Sequence, residues 1–489
     1  MKTYSKIQYI AFVFILFVCL SCTNKITVSQ QTEKTLTLTP DYSEVTIPFN
    51  IAPLNFGADC GGKESCLLIK GGSMELQVRG NEKGFQIPED EWKQLLLENK
   101  GKTLTFIVCL KEADGWIGYK PFTVQVAPEP IDPYIAYRRI APGYALWGKM
   151  GIYQRDLTSF AETAILENSD TKGNCMNCHS FCKQNPQKMF FHLRKDYASS
   201  ILIDGKDIEK LDTKTDNTLS AMVYPSWHPG GNYIASSVNT TKQAFHSNHA
   251  NRIEVYDEAS DVIVYDIKGH RVLTTPLLSS KAKFETFPTF SADGKTLYFC
   301  VADSCTMPAE YQKAKYNICS IAFNEQDGTF GTTVDTLYSS PRSGKSASFP
   351  RISPDGKWLL YTEAAYGNFS IWHKDADLRM LDLTTRQEMD VKALNSSETE
   401  SYHSWSSDGR WVVFSSRRMD GLYTHPYIAH VADNGTVSRP FIVPQQEADY
   451  YTLLMQSYNI PEFITGKVEM PKEKLLDAIT NREPVKVRY

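Results

Sequence analysis

The stretch FPRISPDGKWLLY at residues 349–361 decides the fold of this chain. It consists of a short strand-like run, a Ser-Pro-Asp-Gly-Lys turn and a second, more apolar run. Asp355-Gly356 is a strong hairpin signal, because glycine takes a positive φ without steric cost and aspartate can cap its own turn. The stretch therefore predicts two antiparallel strands joined by a tight turn.

The same pattern recurs in three further copies. They read YPSWHPGGNYIA at 224–235, FPTFSADGKTLYF at 287–299 and YHSWSSDGRWVVF at 402–414. A sheet this small cannot bury its own apolar face, so each copy must pack against its neighbours. The repeat therefore predicts a β-propeller, and an aromatic content of 12% suits a chain made mostly of strands.

The four copies resemble the repeats of the TolB-type propeller family. The resemblance covers residues 186–460 and implies a mainly β fold of about six blades. Members of this family include protein-binding modules of the cell envelope and domains attached to peptidases. The sequence has no Gly-x-Ser-x-Gly elbow or His-Glu-x-x-His motif, and no α/β-hydrolase segment follows the repeats. Hydrolysis is therefore disfavoured, and no catalytic residue is predicted.

The rest of the chain divides by composition. Short β-like runs alternate between residues 36 and 126, with one helix-like segment at Glu89–Asn99, and a Pro-rich stretch follows. The sequence predicts a signal peptide at 1–21, a small β-rich, sandwich-like domain at 22–127, a linker with a short helical Cys-x-x-Cys-His segment at 128–185, the propeller at 186–460, and a tail with a short helix at 461–489.

The first residues predict export. Lys2 and Lys6 precede an apolar run at 7–20, which is too short for a comfortable membrane span and ends at Ser21-Cys22. This resembles a bacterial lipobox, in which Cys22 would be acylated, although Cys19 stands where a branched aliphatic residue is usual. The alternative is an ordinary signal peptide that is cut elsewhere. We expect a lipid-anchored protein of the cell envelope, at the periplasmic face of the outer membrane.

The charge of the chain limits the classes of binding partner that we expect. The net charge is −4 and no basic run is present, so nucleic acid is not an expected partner. We expect contact with the membrane through the lipid anchor, and a protein partner at a face of the propeller.

One motif suggests a cofactor. Cys175-Met-Asn-Cys178-His179 has the spacing at which two thiols bond to haem vinyl groups and the adjacent histidine ligates the iron. The motif predicts a single haem c with His179 as proximal ligand, and hence an electron-transfer or redox role. The side chains that could supply a distal ligand are Met189, His192, His246 and His249.

Two alternatives to haem remain open. Cys175, Cys178, Cys182 and either His179 or His192 meet the ligand count of tetrahedral zinc. The cysteines could instead form a disulfide or be inert, and Cys60/Cys66 and Cys300/Cys305 are also close enough for short-loop disulfides. Without haem, the protein would be a non-enzymatic interaction scaffold.

The whole arrangement also resembles a group of Gram-negative envelope lipoproteins that combine a lipobox, a small β domain, a Cys-x-x-Cys-His segment and TolB-like blades. The group implies no specific activity. Arginines and tyrosines at 134–153 could hold haem propionates, or could belong to a surface helix. The matching residues are Tyr134, Tyr137, Arg138, Pro142-Gly143-Tyr144, Asn174–Ser180 and Ile253–Asp257.

Overall fold

The computed structural model describes residues 25–141 and 148–489. The predicted signal peptide and Cys22 lie outside the described residues, as does Pro142-Gly143-Tyr144. Among the described residues, no helix has the length and apolar character needed to cross a bilayer.

The N-terminal part is a small β-rich unit. Eight of its strands join in one sheet, and β2 and β4 form a separate pair. The strands are β1 (Val28–Gln31), β2 (Leu38–Thr39), β3 (Val45–Pro48), β4 (Gly57–Ala58), β5 (Ser65–Gly71), β6 (Met74–Asn81), β7 (Gly84–Phe85), β8 (Thr103–Glu112), β9 (Gly115–Gly118) and β10 (Phe122–Ala127).

Helix α1 (Glu89–Glu98) confirms the helix predicted at Glu89–Asn99. Three acidic residues occupy its first turn, where they complement the helix dipole. Trp92, Leu95 and Leu96 are fully buried in the main core cluster. The helix therefore covers the sheet with one apolar face.

Six sheets follow, each with four antiparallel strands and one with a further strand at its edge, and they form a six-bladed propeller. Blade 1 contains β11 (Tyr134–Ile140), β12 (Gly151–Asp156), β13 (Glu162–Glu167) and β34 (Ser457–Ile464); blade 2 contains β14 (Met176–Phe181), β15 (Lys188–Leu193), β16 (Ser199–Asp204) and β17 (Asp207–Asp212); blade 3 contains β18 (Val223–Trp227), β19 (Tyr233–Phe245), β20 (Ile253–Asp266) and β21 (Arg271–Leu273).

The remaining blades have the same plan. Blade 4 contains β22 (Lys283–Phe290), β23 (Thr296–Asp303), β24 (Asn317–Asn324) and β25 (Thr329–Tyr338); blade 5 contains β26 (Ser346–Ile352), β27 (Trp358–Ala364), β28 (Asp377–Asp382) and β29 (Glu388–Met389); blade 6 contains β30 (Glu400–Trp405), β31 (Trp411–Ser416), β32 (His425–His430) and β33 (Phe441–Ile442). The predicted mainly β fold of about six blades is confirmed.

The short helices and the last strand complete the described elements. The helix predicted near the C-terminus is confirmed as α4 (Lys472–Asn481), and the other two helices are α2 (Ser340–Ser343) and α3 (Tyr450–Leu453). The two-residue strand β35 (Val485–Lys486) pairs parallel to β17 at the edge of blade 2.

The ring closes within blade 1. Strand β34 comes from the end of the chain and pairs antiparallel with β11, which lies more than 300 residues earlier. Strand β34 also packs against β30 of blade 6 and β14 of blade 2. Backbone hydrogen bonds therefore join the two ends of the propeller.

The predicted Asp-Gly hairpins are present. In blade 5, Gly356 has a φ of 76°, the Ser353 hydroxyl donates to Asp355 Oδ1 at 2.6 Å, and Trp358 N donates to Ser353 Oγ at 2.9 Å. Blades 4 and 6 repeat the serine–aspartate bond at the same distance. The local sequence thus determines these turns.

Each inner strand carries a bulge at one equivalent position. There the register shifts and a non-glycine residue adopts a positive φ between 47° and 56°. The side chains at these positions meet around the central channel, and neighbouring aromatic rings lie 4.0–4.8 Å apart between centroids. We call this set the channel ring: Cys178, Tyr224, Phe287, Phe349, Tyr402 and Ile460.

The helical segment predicted at 128–185 is wrong. The described residues between 134 and 181 instead contain the strands β11 to β14, and the propeller begins at Tyr134 rather than at 186. β12 and β14 are buried along nearly their whole length, so they lose the period-two alternation by which strands are recognised in sequence. The Cys-x-x-Cys-His motif is part of the inner strand of blade 2.

The segment that connects the β-rich unit to the propeller packs against blade 6. Asp132 accepts a hydrogen bond from Ser407 N at 2.7 Å, and Arg410 pairs with Glu129 at 3.0 Å. The Trp411 indole donates to Pro130 O at 2.9 Å. The β-rich unit also shares a hydrophobic core with blades 1, 5 and 6.

Candidate ligand-binding funnel

One end of the central channel opens into a cavity of about 930 Å³, which we call the funnel. Its walls include the first residues of inner strands, among them Asn177 of blade 2, Val223 of blade 3 and Asn459 of blade 1. Tyr224, Tyr402 and Ile460 of the channel ring form its floor. This volume lies within the range of small-molecule sites, about 300–1,000 Å³.

A long hairpin forms one wall. Strands β19 and β20 have 13 and 14 residues, more than the other strands of the propeller, and we call their hairpin the arm. Asn239, Thr241, Lys242 and Val255 of the arm line the funnel. The arm extends beyond blade 3, and Phe245 near its tip is 61% exposed.

Buried carboxylates fix the arm to a loop of blade 5. Asp257 accepts hydrogen bonds from Asn239 at 2.8 Å, Asn368 at 2.7 Å and Thr241 at 3.0 Å. Burial nevertheless raises the pKa of Asp257 to about 6. Glu254 accepts from Tyr366 at 2.6 Å and lies 3.1 Å from His373 Nε2. The arm is therefore held across the end of blade 4.

The funnel wall is rich in cations. Among the lining residues that the structure describes, five side chains carry positive charge and none is an aspartate or glutamate. The cations come from blade 1, blade 2, the arm and the loop after β31, and they are Arg138, Arg194, Lys242, Arg252 and Arg417.

Arg138 reaches the Cys-x-x-Cys-His motif. Its guanidinium donates to Asn177 Oδ1 at 3.2 Å and lies 3.4 Å from Cys175 Sγ. Its Nε is buried without a hydrogen-bond partner among the described residues. Cys175 is half-buried and lines the funnel.

Arg417 is 4% exposed. Its Nε donates to Ile371 O at 2.8 Å, another hydrogen bond goes to Leu422 O, and the guanidinium lies 3.8 Å from the centroid of the Trp372 ring. Burial lowers the pKa of Arg417 to about 10, so it remains charged at pH 7. No carboxylate within 4.0 Å pairs with it in the described chain.

A second cavity, of about 20 Å³, lies on the other side of the channel ring. His179, His403, Arg351 and Glu462 are among its lining residues. The His179 side chain is fully buried, its Nε2 lies 3.7 Å from Glu462 Oε2, and neither ring nitrogen has a hydrogen-bond partner among the described residues. Burial lowers the pKa of His179 to about 4 and raises that of Glu462 to about 8.

These positions do not fit a haem c. Cys175 faces the funnel, whereas Cys178 is 1% exposed in the channel ring and His179 faces the small cavity beyond it. Two thioether bonds and a proximal ligand require all three side chains to face one porphyrin-sized space. The bulged strand instead directs them to opposite sides of the ring, and a space of about 20 Å³ holds little more than one water.

The distal-ligand candidates are also separated. His192 and His246 line the funnel, and His192 Nδ1 lies 3.3 Å from Ser200 Oγ. His249 is exposed beside His246, with 5.5 Å between the ring centroids. Met189 is fully buried in the core of blades 1 and 2. Only two of the four candidates therefore face the funnel.

The described cysteines form no disulfide, and they do not lie together as the ligands of a tetrahedral zinc ion would. Cys182 packs in another core cluster, with its Sγ 3.9 Å from His228 O. No group of three or more potential ligands is arranged to hold a metal ion in the described residues. All nine described cysteines are free, and Cys66 lies opposite Cys109 on the neighbouring strand, away from Cys60.

Most residues of the funnel could not be predicted from the sequence. Arg252, Arg417 and Trp372 belong to connections between strands and carry no motif. The only available signal was the wide separation of the strand-like runs around residues 240–255, which indicates a long hairpin. Arg138, which was singled out beside the motif, does line the funnel.

Comparison with known proteins identifies no family. No protein-family model and no curated protein matches the chain. Among solved structures with some likeness, a prolyl endopeptidase has 10% identity and a TM-score of 0.33, over 65% of this chain and 48% of that chain. Dipeptidyl peptidase 4 from Porphyromonas gingivalis has 8% identity and a TM-score of 0.27, over 62% of this chain and 49% of that chain. A DUF4784 family protein from Bacteroides caccae has 8% identity and a TM-score of 0.24, over 77% of this chain and 98% of that chain.

The chain thus spans about half the length of the two peptidases. TM-scores this low carry no argument about activity. The assignment of a β-propeller rests on the six sheets described above.

Proposed function

We propose that this protein is a non-enzymatic binding protein of the bacterial cell envelope whose funnel binds a small ligand. The observation that carries the proposal is the cavity of about 930 Å³, which strands of several blades and the arm enclose. Cavities of this size with a few converging polar groups are the usual form of ligand sites. The channel ring closes its inner end, so a ligand would enter from the mouth.

The proposal assigns a structural role to the Cys-x-x-Cys-His motif. Cys178 supplies one of the six channel-ring side chains, and His179 packs beneath the ring. A haem-dependent electron-transfer role would need these side chains to share one site with Cys175. Their separation favours the binding role over the redox role.

Location and partners form the second part of the proposal. The basic residues Lys2 and Lys6, the apolar run at 7–20 and Cys22 support export and lipid anchoring at the periplasmic face of the outer membrane. A lipid-anchored propeller would present a face to a protein partner. That partner could then bind the ligand-occupied and the ligand-free protein with different affinity.

The test fills the funnel. Ala221 lines the cavity just before β18, so Ala221→Trp should occupy space that a ligand needs. The control is Ala309→Trp, at an exposed position that does not line the funnel. Each full-length protein is incubated with a small-molecule extract of bacterial envelopes and separated by gel filtration. The retained molecules are then identified by mass spectrometry.

We expect the wild type and Ala309→Trp to retain a common small molecule at about one per chain, and Ala221→Trp to lose most of it. Equal retention by all three proteins, or no retention by any, would contradict ligand binding in the funnel. Thermal melting of each variant ensures that a loss of retention does not come from unfolding.

A further inference from the structure

We propose that the ligand of the funnel is an anion with an apolar or aromatic body, held by arginines of blades 1 and 6 and by the arm. This inference rests on the proposed function and adds the chemical class of the ligand. Its basis is the distribution of charge and aromatic surface around the cavity.

The charge of the funnel opposes that of the whole chain. The net charge of the protein is −4, yet the described residues that line this cavity include five cations and no carboxylate. Clefts lined by one sign of charge raise the local concentration of the opposite ion. A positive cavity in an acidic protein therefore favours an anionic ligand.

Two of these cations, one buried and one half-buried, have no carboxylate within ion-pair distance among the described residues. Arg417 is almost fully buried, and Arg138 is half-buried with an unpaired Nε. Neither has an ion pair within 4.0 Å among the described residues, although buried charges are normally paired. Asp420 and Glu398 are near enough to raise the pKa of Arg417 by Coulombic attraction, but neither forms an ion pair with it within 4.0 Å, and Asp420 Oδ1 accepts the backbone N–H groups of Leu422 and Tyr423.

The nearest buried carboxylate does not neutralise the funnel. Asp257 lies behind Asn239 and Thr241 and is not among the lining residues. Its oxygens already accept the three side-chain hydrogen bonds that fix the arm. Lys242 has one weak partner, Glu258, at 3.9 Å on the exposed side of the arm. The guanidinium groups of Arg138 and Arg417 therefore have hydrogen-bond partners in the protein but no carboxylate within 4.0 Å among the described residues.

The remaining lining suits an apolar body. Trp372, Phe369, Tyr224 and Tyr402 contribute aromatic surface, and Ile253 adds an aliphatic side chain. The Trp372 ring lies against the Arg417 guanidinium, so a flat group on the same wall would have both aromatic and cationic contacts. Planar guanidinium groups bind carboxylate, sulfonate and phosphate oxygens by paired hydrogen bonds.

The experiment compares two dyes that differ in one charged group. 1-Anilinonaphthalene-8-sulfonate is an anion, and N-phenyl-1-naphthylamine is the same ring system without the sulfonate. Fluorescence titration measures the affinity of both dyes for the full-length wild type, Arg138→Gln, Arg252→Gln and Ala221→Trp. The control is Arg342→Gln, which removes an exposed arginine that does not line the funnel.

We expect the wild type to bind the sulfonate dye about tenfold or more tightly than the neutral dye, because charge-assisted hydrogen bonds are the stronger kind. Arg138→Gln should reduce the affinity for the sulfonate dye severalfold and leave that for the neutral dye unchanged. Because Arg252 is exposed, the Arg252→Gln variant should fold even if the Arg138→Gln variant does not. Arg342→Gln should bind both dyes like the wild type.

The two proposals fail in different ways. If Ala221→Trp abolishes binding but the two dyes bind equally, or if the arginine variants match Arg342→Gln, the anionic ligand is overturned and the binding funnel stands. If Ala221→Trp leaves the affinity for both dyes unchanged, or if neither dye binds, the funnel does not bind ligands and both proposals fail. Displacement of the bound sulfonate dye by hexanoate or by hexyl phosphate would identify the preferred anionic group.

Discussion

His179 occupies the position after the channel-ring residue, where four other blades have proline. These prolines are Pro225, Pro288, Pro350 and Pro461, and blade 6 has His403. The position lies in the bulge, outside the paired register on either side, so its N–H is not needed by the ladder. A residue that resembles a haem ligand in the sequence thus has the environment of a bulge proline.

His179→Pro should therefore preserve the fold. We expect the free energy of unfolding to change by about 1 kcal/mol or less, because proline fits a compatible backbone position. Ser180→Pro is the matched control: it places a proline at a position that pairs with Phe190 of β15, and it should cost about 3 kcal/mol or more. Chemical denaturation measures both. An unfolded His179→Pro variant, or covalent haem detected in the wild type by a pyridine haemochrome spectrum, would contradict the structural role.

At the scale of elements, the arm is the part that distinguishes blade 3 from its neighbours. It extends past the blade and is held by the Asp257 and Glu254 carboxylates rather than by an adjacent strand. Hydrogen bonds from Asn239, Asn368 and Thr241 stabilise the ionised form of Asp257, but burial opposes it more strongly. The arm, which forms one wall of the funnel, is therefore held in place by a carboxylate whose ionised form is destabilised by burial.

Asp257→Asn should change how stability depends on pH. The pKa of Asp257 is raised from 3.8 to about 6 in the folded state, so its contribution to stability is fully present below about pH 4 and is lost as the pH rises through 6. Asparagine stays neutral and keeps an oxygen for the two amide donors. We expect the wild type to lose about 1–3 kcal/mol relative to Asp257→Asn between pH 4 and pH 7.

Urea denaturation at several pH values measures this difference. The control is Asp216→Asn, which changes an exposed aspartate and should follow the wild-type curve. A constant difference between the wild type and Asp257→Asn across this pH range would show that burial does not raise the pKa of Asp257.

At the scale of the whole molecule, one strand closes the propeller. Strand β34 is the inner strand of blade 1 and contacts blades 2 and 6. Its Tyr458 and Phe463 are buried in the core that the propeller shares with the N-terminal unit. Without β34, the inner edge of β11 would lose its partner and the channel ring would lose Ile460.

Truncation after Gln456 should therefore prevent cooperative folding, because it removes β34 and all that follows. Truncation after Glu483 removes only β35 and the last residues, and should lower the melting temperature by a few degrees. Thermal unfolding followed by circular dichroism distinguishes the two. A chain truncated after Gln456 that melts as cooperatively as the full chain would show that the ring does not depend on this closure.

Part of the fold could be predicted from the sequence because it is encoded locally. Four neighbouring residues determine a Ser-x-Asp-Gly turn, so blades 4, 5 and 6 could be predicted from the sequence. A related Gly-Gly turn indicated blade 3. Helices α1 and α4 were recognised for the same reason. Blades 1 and 2 have no such turn, and blade 1 also takes a strand from the far end of the chain.

The funnel was decided by tertiary structure alone. Arg138, Arg252 and Arg417 are separated by more than 100 residues from one another along the chain, and only ring closure brings them to one cavity. The Cys-x-x-Cys-His spacing is a local pattern, but its chemistry depends on which side of the channel ring each side chain faces. The sequence by itself determined the repeated hairpins, because turn geometry is local; the tertiary structure decided the site, because a cavity depends on contacts between distant blades.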